Sequence, residues 1–342
     1  MPTIFDFVNA NEMVSYWETM TKDRPPYLGE TLFPAQKKLG LDLKWIKGSA
    51  GLPVVLKPSA FDAGAVPRPR IGFDRLTAEM PFFKESLYID EELRQQLNMV
   101  LETGNQAYID AVLNRIFNDN TVLLEGAAAR REQMRMMALT TGAISITANG
   151  QAYSYDYGMP SDHKVTVTTS WSNTAADIGA DIVAGQDKIE DDTGVRPTRA
   201  VCSRKTWGYM LKNTNFKKAI SDKVLMTDSV LKSMLLDVYG LEVVVYSKRY
   251  NNDSKSATKY VPDDTFVMFP SGSLGTTWFG TTPEESDLMG KAVANVSITD
   301  VGVAVTSINK ADPVNVETKV TMISLPSFPV ADQVYILDVS TT

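Results

Sequence analysis

The sequence has very little of the two residue types that most often build catalytic and metal sites, since it contains one cysteine and one histidine. Cys202 alone cannot form an internal disulfide or a thiolate metal cage, so the fold must be held by packing or by other subunits. Any serine, cysteine or metal mechanism that uses histidine would have to run through His163. His163 lies in the polar stretch 160–164, ahead of a strand-like run, and we expect it to be a solvated loop residue.

The chain also lacks long apolar runs and an excess of positive charge. No stretch of about 18 uncharged apolar residues is present, so the sequence predicts no membrane span. The first residues have no basic segment followed by an apolar one, so no signal peptide is expected. With 41 acidic residues against 34 basic ones, the net charge is −7. This balance argues against a chain whose main task is to grip nucleic acid, and any contact with a polyanion is expected to be local or weak.

Motifs of common enzymes are absent as well. The sequence contains no P-loop, no His-Glu-x-x-His, no nucleophile elbow and no calcium-loop spacing. The acidic pairs Asp191-Asp192 and Asp263-Asp264 could in principle serve general acid–base chemistry, but neighbours in sequence seldom face one site. Both pairs lie in turn-like settings, where aspartate is favoured for backbone hydrogen bonding. We therefore expect no catalytic residues, no cofactor and no metal.

What is present is an ordinary folded composition, with 44% apolar and 22% charged residues in 342. At about 150 residues per domain this length suggests about two domains, or one body with large excursions. Met13, Val14 and Trp17 follow the candidate caps Asn9 and Asn11 at helical spacing, which predicts a short helix over 9–20. The next segment, 27–34, is apolar but broken by glycine and proline. We expect it to be an arm that lies on a surface without a core of its own.

The segment 43–80 is rich in proline and is expected to form an extended two-stranded excursion around the turn-prone Asp62-Ala63-Gly64. Its net charge is +3, so the rest of the chain carries −10. A basic arm on an acidic body suits self-association, because each copy offers both signs of charge. A mobile, solvated loop is the alternative reading of the same residues.

Between Pro81 and Pro160 there is no proline and the apolar residues have helical spacing, which predicts helices on either side of a break near Gly104. Joined as one rod, residues 105–139 would span about 50 Å at about 1.5 Å per residue. Met134, Met136 and Met137 are expected to fill gaps in a core.

The second half mixes both element types, which predicts an α+β fold. Residues 143–148 and 163–170 resemble a strand pair, residues 241–246 a central strand, and residues 250–260 a hairpin tip. The remaining expectations are helices over 177–191, 205–213 and 229–239, and strands over 199–203, 265–269, 319–325 and 333–339, the last two separated by Pro326 and Pro329.

The order of these segments, a helix, an apolar arm, a basic hairpin, a long helix and an α+β body, resembles the phage major capsid proteins of the lambda-type E family, which have the HK97 fold. The most specific pieces are Leu28-Gly29-Glu30-Thr31-Leu32-Phe33-Pro34, Gly72-Phe73 within the segment 58–81, Arg130-Arg131-Glu132-Gln133-Met134 with Leu139-Thr140-Thr141-Gly142, and Tyr260-Val261-Pro262-Asp263-Asp264-Thr265. None of them is a catalytic signature. The resemblance covers nearly the whole chain.

The resemblance implies an HK97-like capsid fold with an N-terminal arm at 1–42, an E-loop at 43–80 and a peripheral domain with a spine helix at 81–172. It further implies an axial domain at 173–318, with 319–342 completing the peripheral domain. It implies a virion protein, assembled in the host cytoplasm, whose hexamers and pentamers close an icosahedral shell around double-stranded DNA. A scaffolding protein, a portal and, in some members, a decoration protein would be its partners. The residues expected at contacts between subunits are Leu32, Phe33, Lys57, Arg68, Arg70 and Arg75.

Two alternatives stay open at this point. An encapsulin-type compartment shell would share the fold, and genomic neighbours would distinguish it. A carboxylate-dependent hydrolase with two lobes belongs to another class, and a monomer that cleaves saccharides would identify it.

Overall fold

The computed structural model describes most of the chain, which divides into two compact units. The first unit contains Met1–Leu43, Ala78–Met134 and Thr276–Ser327, and the second contains Lys44–Thr77, Arg135–Gly275 and Phe328–Thr342. The described residues are 8–40, 42–46, 75–89, 91–148, 150–220, 225–252, 256–289, 294–311 and 314–340. Within them, no helix has both the length and the apolar character needed to cross a bilayer.

Helix α1 (Ala10–Thr21) confirms the first predicted helix. The side chain of Asn9 caps it by accepting a hydrogen bond of 2.9 Å from the Glu12 amide, which satisfies one of the free donors of the first turn. Met13 and Trp17, one helical turn apart, are buried in the core of the first unit. Burying a side chain of this size contributes about 1.5–3 kcal/mol, so packing rather than helix propensity holds α1 in place.

The segment predicted to be an arm without a core of its own contains a short helix, α2 (Leu28–Leu32). Helices α3 (Glu91–Thr103) and α4 (Gln106–Thr141) then confirm the break near Gly104, whose φ of +68° favours glycine. Helix α4 has 36 residues in one run, so it is about 54 Å long, and the stretches within 105–139 are joined as one rod. Met134 and Met136 are fully buried in it, as expected of gap-filling core residues.

The first unit has a sheet whose strands follow the order β1-β13-β16-β15-β14, with β4 also paired to β16. The bounds are β1 (Ala35–Lys37), β4 (Phe82–Tyr88), β13 (Thr276–Phe279), β14 (Asn295–Thr299), β15 (Val303–Ala311) and β16 (Val314–Ser327). Strand β16 pairs with β15 and β4 along most of its length and with β13 at its end.

The two strands predicted over 319–325 and 333–339 are confirmed as β16 and the strand Tyr335–Asp338, although β16 continues past Pro326 to Ser327. Pro326 lies opposite Thr277 near the end of the strand. A proline has no amide hydrogen to donate, and a sheet tolerates this near a strand terminus.

Strands β2 (Asp42–Ile46) and β3 (Arg75–Glu79) form a two-stranded sheet, which agrees with the predicted excursion at its base. The predicted turn at Asp62-Ala63-Gly64 lies outside the described residues.

The second unit has a five-stranded sheet in the order β7-β17-β12-β8-β9. The bounds are β7 (Lys164–Thr166), β8 (Arg199–Cys202), β9 (Glu242–Val245), β12 (Thr265–Phe269) and β17 (Tyr335–Asp338). The helices that share its core are α5 (Ile178–Thr193), α6 (Arg204–Lys212), α7 (Thr214–Ile220) and α8 (Asp228–Tyr239). These elements confirm the predicted helices and the strands over 199–203 and 265–269, and the mixture confirms the α+β class.

The expectation that residues 241–246 form a central strand is wrong, because β9 is at the edge of this sheet. Val243 is buried, but Val244 and Val245 are only partly covered. An edge strand that helices partly cover can be as apolar as a central strand. A short apolar run in the sequence therefore does not distinguish the two positions.

The predicted pairing of 143–148 with 163–170 is also wrong. Strand β5 (Ala143–Ala148) pairs with β6 (Gln151–Asp156) as an antiparallel hairpin. The sequence Asn149-Gly150 lies between them, and Gly150 has a φ of +73°. Asn-Gly is the strongest short-range hairpin signal, so this pairing was readable from the sequence. The hairpin of β10 (Arg249–Asn251) and β11 (Ala257–Lys259) does confirm the predicted tip.

Strand pairing differs from the expected domain boundaries at two places. Strands β14 and β15, placed by the sequence in an axial domain over 173–318, join the sheet of the first unit. Strand β17, expected to complete a peripheral domain with 319–342, pairs with β12 in the second unit. The chain therefore changes units near residue 327, between two strands that the sequence treated as one group.

Candidate functional site

The residues expected at contacts between subunits fall into three groups in the structure. Leu32 and Phe33 are 1% and 0% exposed, so the chain itself covers them. The expectation that neighbouring subunits bury these two side chains is therefore corrected. Arg75 is the first residue of β3, and nothing is described of its side chain. Lys57, Arg68 and Arg70 lie outside the described residues.

A buried carboxylate holds the segment that contains Leu32 and Phe33. The amide of Gly29 donates to both oxygens of Glu132, at 3.1 Å each, and Glu132 on α4 is 0% exposed. A charged acceptor makes such bonds stronger than neutral ones. Past the helix, Thr277 donates its hydroxyl to the Phe33 carbonyl at 2.9 Å and its amide to the Pro34 carbonyl at 2.9 Å. This segment, which we call the docked arm (residues 28–37), is thus part of the first unit.

Arg131, next to Glu132, ties α4 to the turn between β14 and β15. Its guanidinium donates to Asp300 at 2.7 Å and lies 5.7 Å from the centroid of the Phe279 ring. Asp300 and Val301 both have positive φ, of 47° and 72°, which is rare for a β-branched residue such as valine. A turn in this conformation is strained, and the ion pair with Arg131 helps to hold it.

A second ion pair, which is buried, lies between the strand β16 and the π-helical turn Glu284–Leu288. Lys319 donates to Glu284 at 2.7 Å, and the hydroxyl of Thr321 donates to the other carboxylate oxygen at 2.9 Å. Burial raises the pKa of Glu284, but the hydrogen bonds from Lys319 and Thr321 outweigh it and hold this pKa below its ordinary value. Glu284 therefore stays ionised inside the first unit.

His163 is the centre of a polar cluster in the second unit and is only 1% exposed, so the expected solvated loop residue is a buried one. Its Nε2 lies 2.8 Å from the carboxylate of Asp192. The ammonium of Lys188 is 2.7 Å from Asp192 and 2.7 Å from Asp162. The hydrogen bonds from His163 and Lys188 lower the pKa of Asp192, and the one from Lys188 lowers the pKa of Asp162.

Three of these side chains could in principle ligate a metal ion, namely Asp162, His163 and Asp192. The ammonium of Lys188, however, already contacts both carboxylates, so their negative charge is compensated by the chain itself. The arrangement fits an internal ion-pair cluster better than a cation site. The sequence indicated only a polar stretch here, because the partners on α5 are about 25 to 30 positions away.

Three of the four residues in the acidic pairs considered for catalysis, Asp192, Asp263 and Asp264, form ion pairs with lysines of the chain. Asp192 belongs to the last turn of α5 rather than to a loop, which corrects the expectation for Asp191-Asp192. Asp263 accepts from Lys259 at 2.6 Å, and Asp264 accepts from Lys205 at 2.8 Å. These ion pairs link one segment of the chain to another.

The comparisons with known proteins agree with this reading. The family model described as phage major capsid protein E matches residues 9–339. A putative capsid protein of a prophage of Escherichia coli CFT073 is 16% identical, with a TM-score of 0.62 over 97% of this chain and 99% of that one. A phage-related protein of Bordetella bronchiseptica RB50 is 13% identical, with a TM-score of 0.58 over 97% of both chains.

A third solved structure, the capsid asymmetric unit of cyanophage A-1(L), is 10% identical, with a TM-score of 0.55 over 93% of both chains. At these identities the likeness concerns the fold. No curated protein sequence matches this chain.

Proposed function

This chain belongs to the phage major capsid protein E family, has an HK97-like fold and is a structural protein of an icosahedral phage shell, and from this premise we propose how it assembles. Copies of the chain form hexamers and pentamers, and these close around packaged double-stranded DNA. Assembly takes place in the host cytoplasm with a scaffolding protein and a portal. The observation that carries the proposal is the family match, which runs through both units of the chain.

The distribution of charge supports a role of the segment 43–80 in contacts between copies of the chain. Its net charge is +3 and the remainder of the chain carries −10, so a segment from one copy is complementary to the body of another. Lys57, Arg68, Arg70 and Arg75 are the cations proposed for this contact. Arg68 and Arg70 are two positions apart, and in an extended strand such residues are on the same side.

The experiment is expression of the chain, followed by light scattering and negative-stain electron microscopy. We expect closed shells or capsomers, and a monodisperse 37.7 kDa species at high concentration would overturn the proposal. The variant Arg68→Glu with Arg70→Glu tests the contact. It should block assembly while the subunit stays folded, because a like-charge contact costs several kcal/mol at an interface. Normal assembly of this variant at low salt would refute the proposed contact through these charges, but it would not refute the proposed shell function.

A further inference from the structure

The helices α6 and α7 form the most one-sided charged region among the described residues. Between Arg204 and Ile220 the sequence has five cations and no acidic residue, although the whole chain has a net charge of −7. The five are Arg204, Lys205, Lys212, Lys217 and Lys218. The two helices are consecutive and pack against each other in the second unit.

Two of these cations are paired with carboxylates among the described residues. Arg204 donates to Asp228 and Lys205 donates to Asp264, each at 2.8 Å. Lys212, Lys217 and Lys218 are exposed, and among the described residues no acidic side chain lies within ion-pair distance of them. We call these three residues the lysine surface. Within the part of the chain that the structure describes, no carboxylate compensates their charge.

The backbone beneath the lysine surface is fixed. Asn213 donates to the Ala176 carbonyl at 2.8 Å, and Thr214 donates its amide to the Thr174 carbonyl at 2.7 Å. Asn215 donates to the Ala176 carbonyl at 3.2 Å. The junction between α6 and α7 is therefore anchored at three successive residues. Lysine side chains on a fixed junction need less ordering when they bind a ligand.

Among the described residues of this region, no large apolar side chain is fully exposed, although Tyr209, Leu211 and Ile220 are only partly buried. Trp207, Met210 and Phe216 are 0%, 0% and 3% exposed, and they pack in the core of the second unit. Protein interfaces are enriched in exposed aromatic residues and depleted in lysine. Phosphate contacts, in contrast, are made by lysine and arginine side chains without apolar neighbours.

We propose that the lysine surface contacts the phosphate backbone of double-stranded DNA without reading its sequence. The inference rests on the proposed function, since the DNA is the one enclosed by the shell. Lys212, Lys217 and Lys218 also lie in the last turns of their helices, where cations are favoured by the helix dipole. That contribution stabilises the folded chain and leaves the outer side of each ammonium free for a phosphate.

The magnitude follows from counterion release. Each phosphate neutralised on duplex DNA contributes about 0.9 to the slope of log affinity against log salt. Three lysines give a slope of about −2.7, so affinity falls by about 40-fold between about 50 and about 200 mM salt. Binding of this kind is weak, is independent of sequence and agrees with the acidic balance of the chain.

The test compares two triple variants of the full chain by fluorescence anisotropy with a short DNA duplex of mixed sequence, over a series of NaCl concentrations. One variant is Lys212→Ser with Lys217→Ser and Lys218→Ser. The matched control is Lys22→Ser with Lys84→Ser and Lys164→Ser, three exposed lysines on other elements with the same total loss of charge. Circular dichroism checks that each variant is folded.

We expect the wild type and the control to show the full slope and the first variant to show a slope near zero. The arginine variant of the same three positions should keep the slope, because it keeps the charge. Equal slopes in both serine variants, or no binding by the wild type at the lowest salt, would overturn the inference. So would loss of shells in the first variant with an unchanged slope, which would indicate a protein partner. Failure of the wild type to form shells would instead refute the proposed function.

Discussion

Replacing Lys319 with methionine should destabilise the first unit strongly at neutral pH. The substitution removes the ammonium but keeps an unbranched side chain of similar length. Glu284 would then remain as a buried carboxylate with only the Thr321 hydroxyl as a hydrogen-bond donor among its described side-chain contacts. The side chains of Lys319 and Glu284 are 12% and 6% exposed, so water compensates little of the lost charge.

The expected loss is about 3–5 kcal/mol, the usual cost of removing one partner from a buried ion pair. For a unit of this size, about 1 kcal/mol corresponds to about 2–4 °C, so the melting temperature should fall by roughly 6–20 °C. The double variant Lys319→Met with Glu284→Gln should recover most of the loss, because no unpaired charge is left.

The pH dependence gives a second check with a definite sign. In the wild type the pKa of Glu284 is below its ordinary value of 4.5, so the ion pair stabilises the fold above that pH and loses its contribution as pH falls. In Lys319→Met, burial should raise this pKa instead. The variant should then become more stable as pH falls toward 4.5, opposite to the wild type.

Urea denaturation of unassembled subunits at neutral and mildly acidic pH measures both effects. A loss below about 1 kcal/mol in the single variant would place the pair in the class of exposed ion pairs and refute the reasoning from burial. A double variant as unstable as the single one would refute the assignment of the cost to the unpaired carboxylate.

The remaining predictions concern other contacts described above. Glu132→Ala should leave the buried Gly29 amide without its acceptor, lower the free energy of unfolding by at least about 1–3 kcal/mol and speed hydrogen exchange at Gly29. Glu132→Gln keeps an acceptor oxygen, so its loss of stability should be smaller. Equal exchange rates at Gly29 in both variants would contradict the role of Glu132 as its acceptor. Val301→Gly should raise the unfolding free energy by about 0.5–1 kcal/mol in urea denaturation by relieving the left-handed conformation, and a lower denaturation midpoint would contradict the strain. Cys202 is fully buried and burial raises the pKa of its thiol to about 12, so iodoacetamide should modify it only after denaturation, and rapid modification of the folded chain would show the site to be open.

Local patterns predicted much of the secondary structure of this chain. The spacing of Met13 and Trp17 was enough for α1, and glycine at position 104 was enough for the break before α4. These features depend on a few neighbouring residues, so they can be predicted from a single sequence. The missed hairpin β5–β6 was an error of interpretation, since Asn149-Gly150 carried its signal.

The contacts that attach segments to one another could not be predicted in this way. Glu132 and Gly29 are 103 positions apart, and His163 and Asp192 are 29 apart. A buried glutamate or histidine has no local pattern that distinguishes it from an exposed one, because burial is decided by which distant element packs over it. The same reason explains the error at Leu32 and Phe33, whose cover comes from residues far along the chain.

The first unit is also built from segments that leave the ribosome far apart in time. The amide of Ala10 donates to the side chain of Asn295, 285 positions later, and the Val8 carbonyl accepts from Ser307, 299 positions later. At about 5–20 residues per second, α1 waits roughly 15–60 s during synthesis before its partners exist. Leu123 and Leu124 of α4, which share its core, are made earlier, but Phe279, Val303, Val305, Val320 and Met322 of the same core follow only in this interval. The part of α1 that packs against these later residues is open to chaperones and to other nascent chains until then. The rate at which the host translates the second half of this chain therefore sets how long that part of each new subunit is exposed to aggregation.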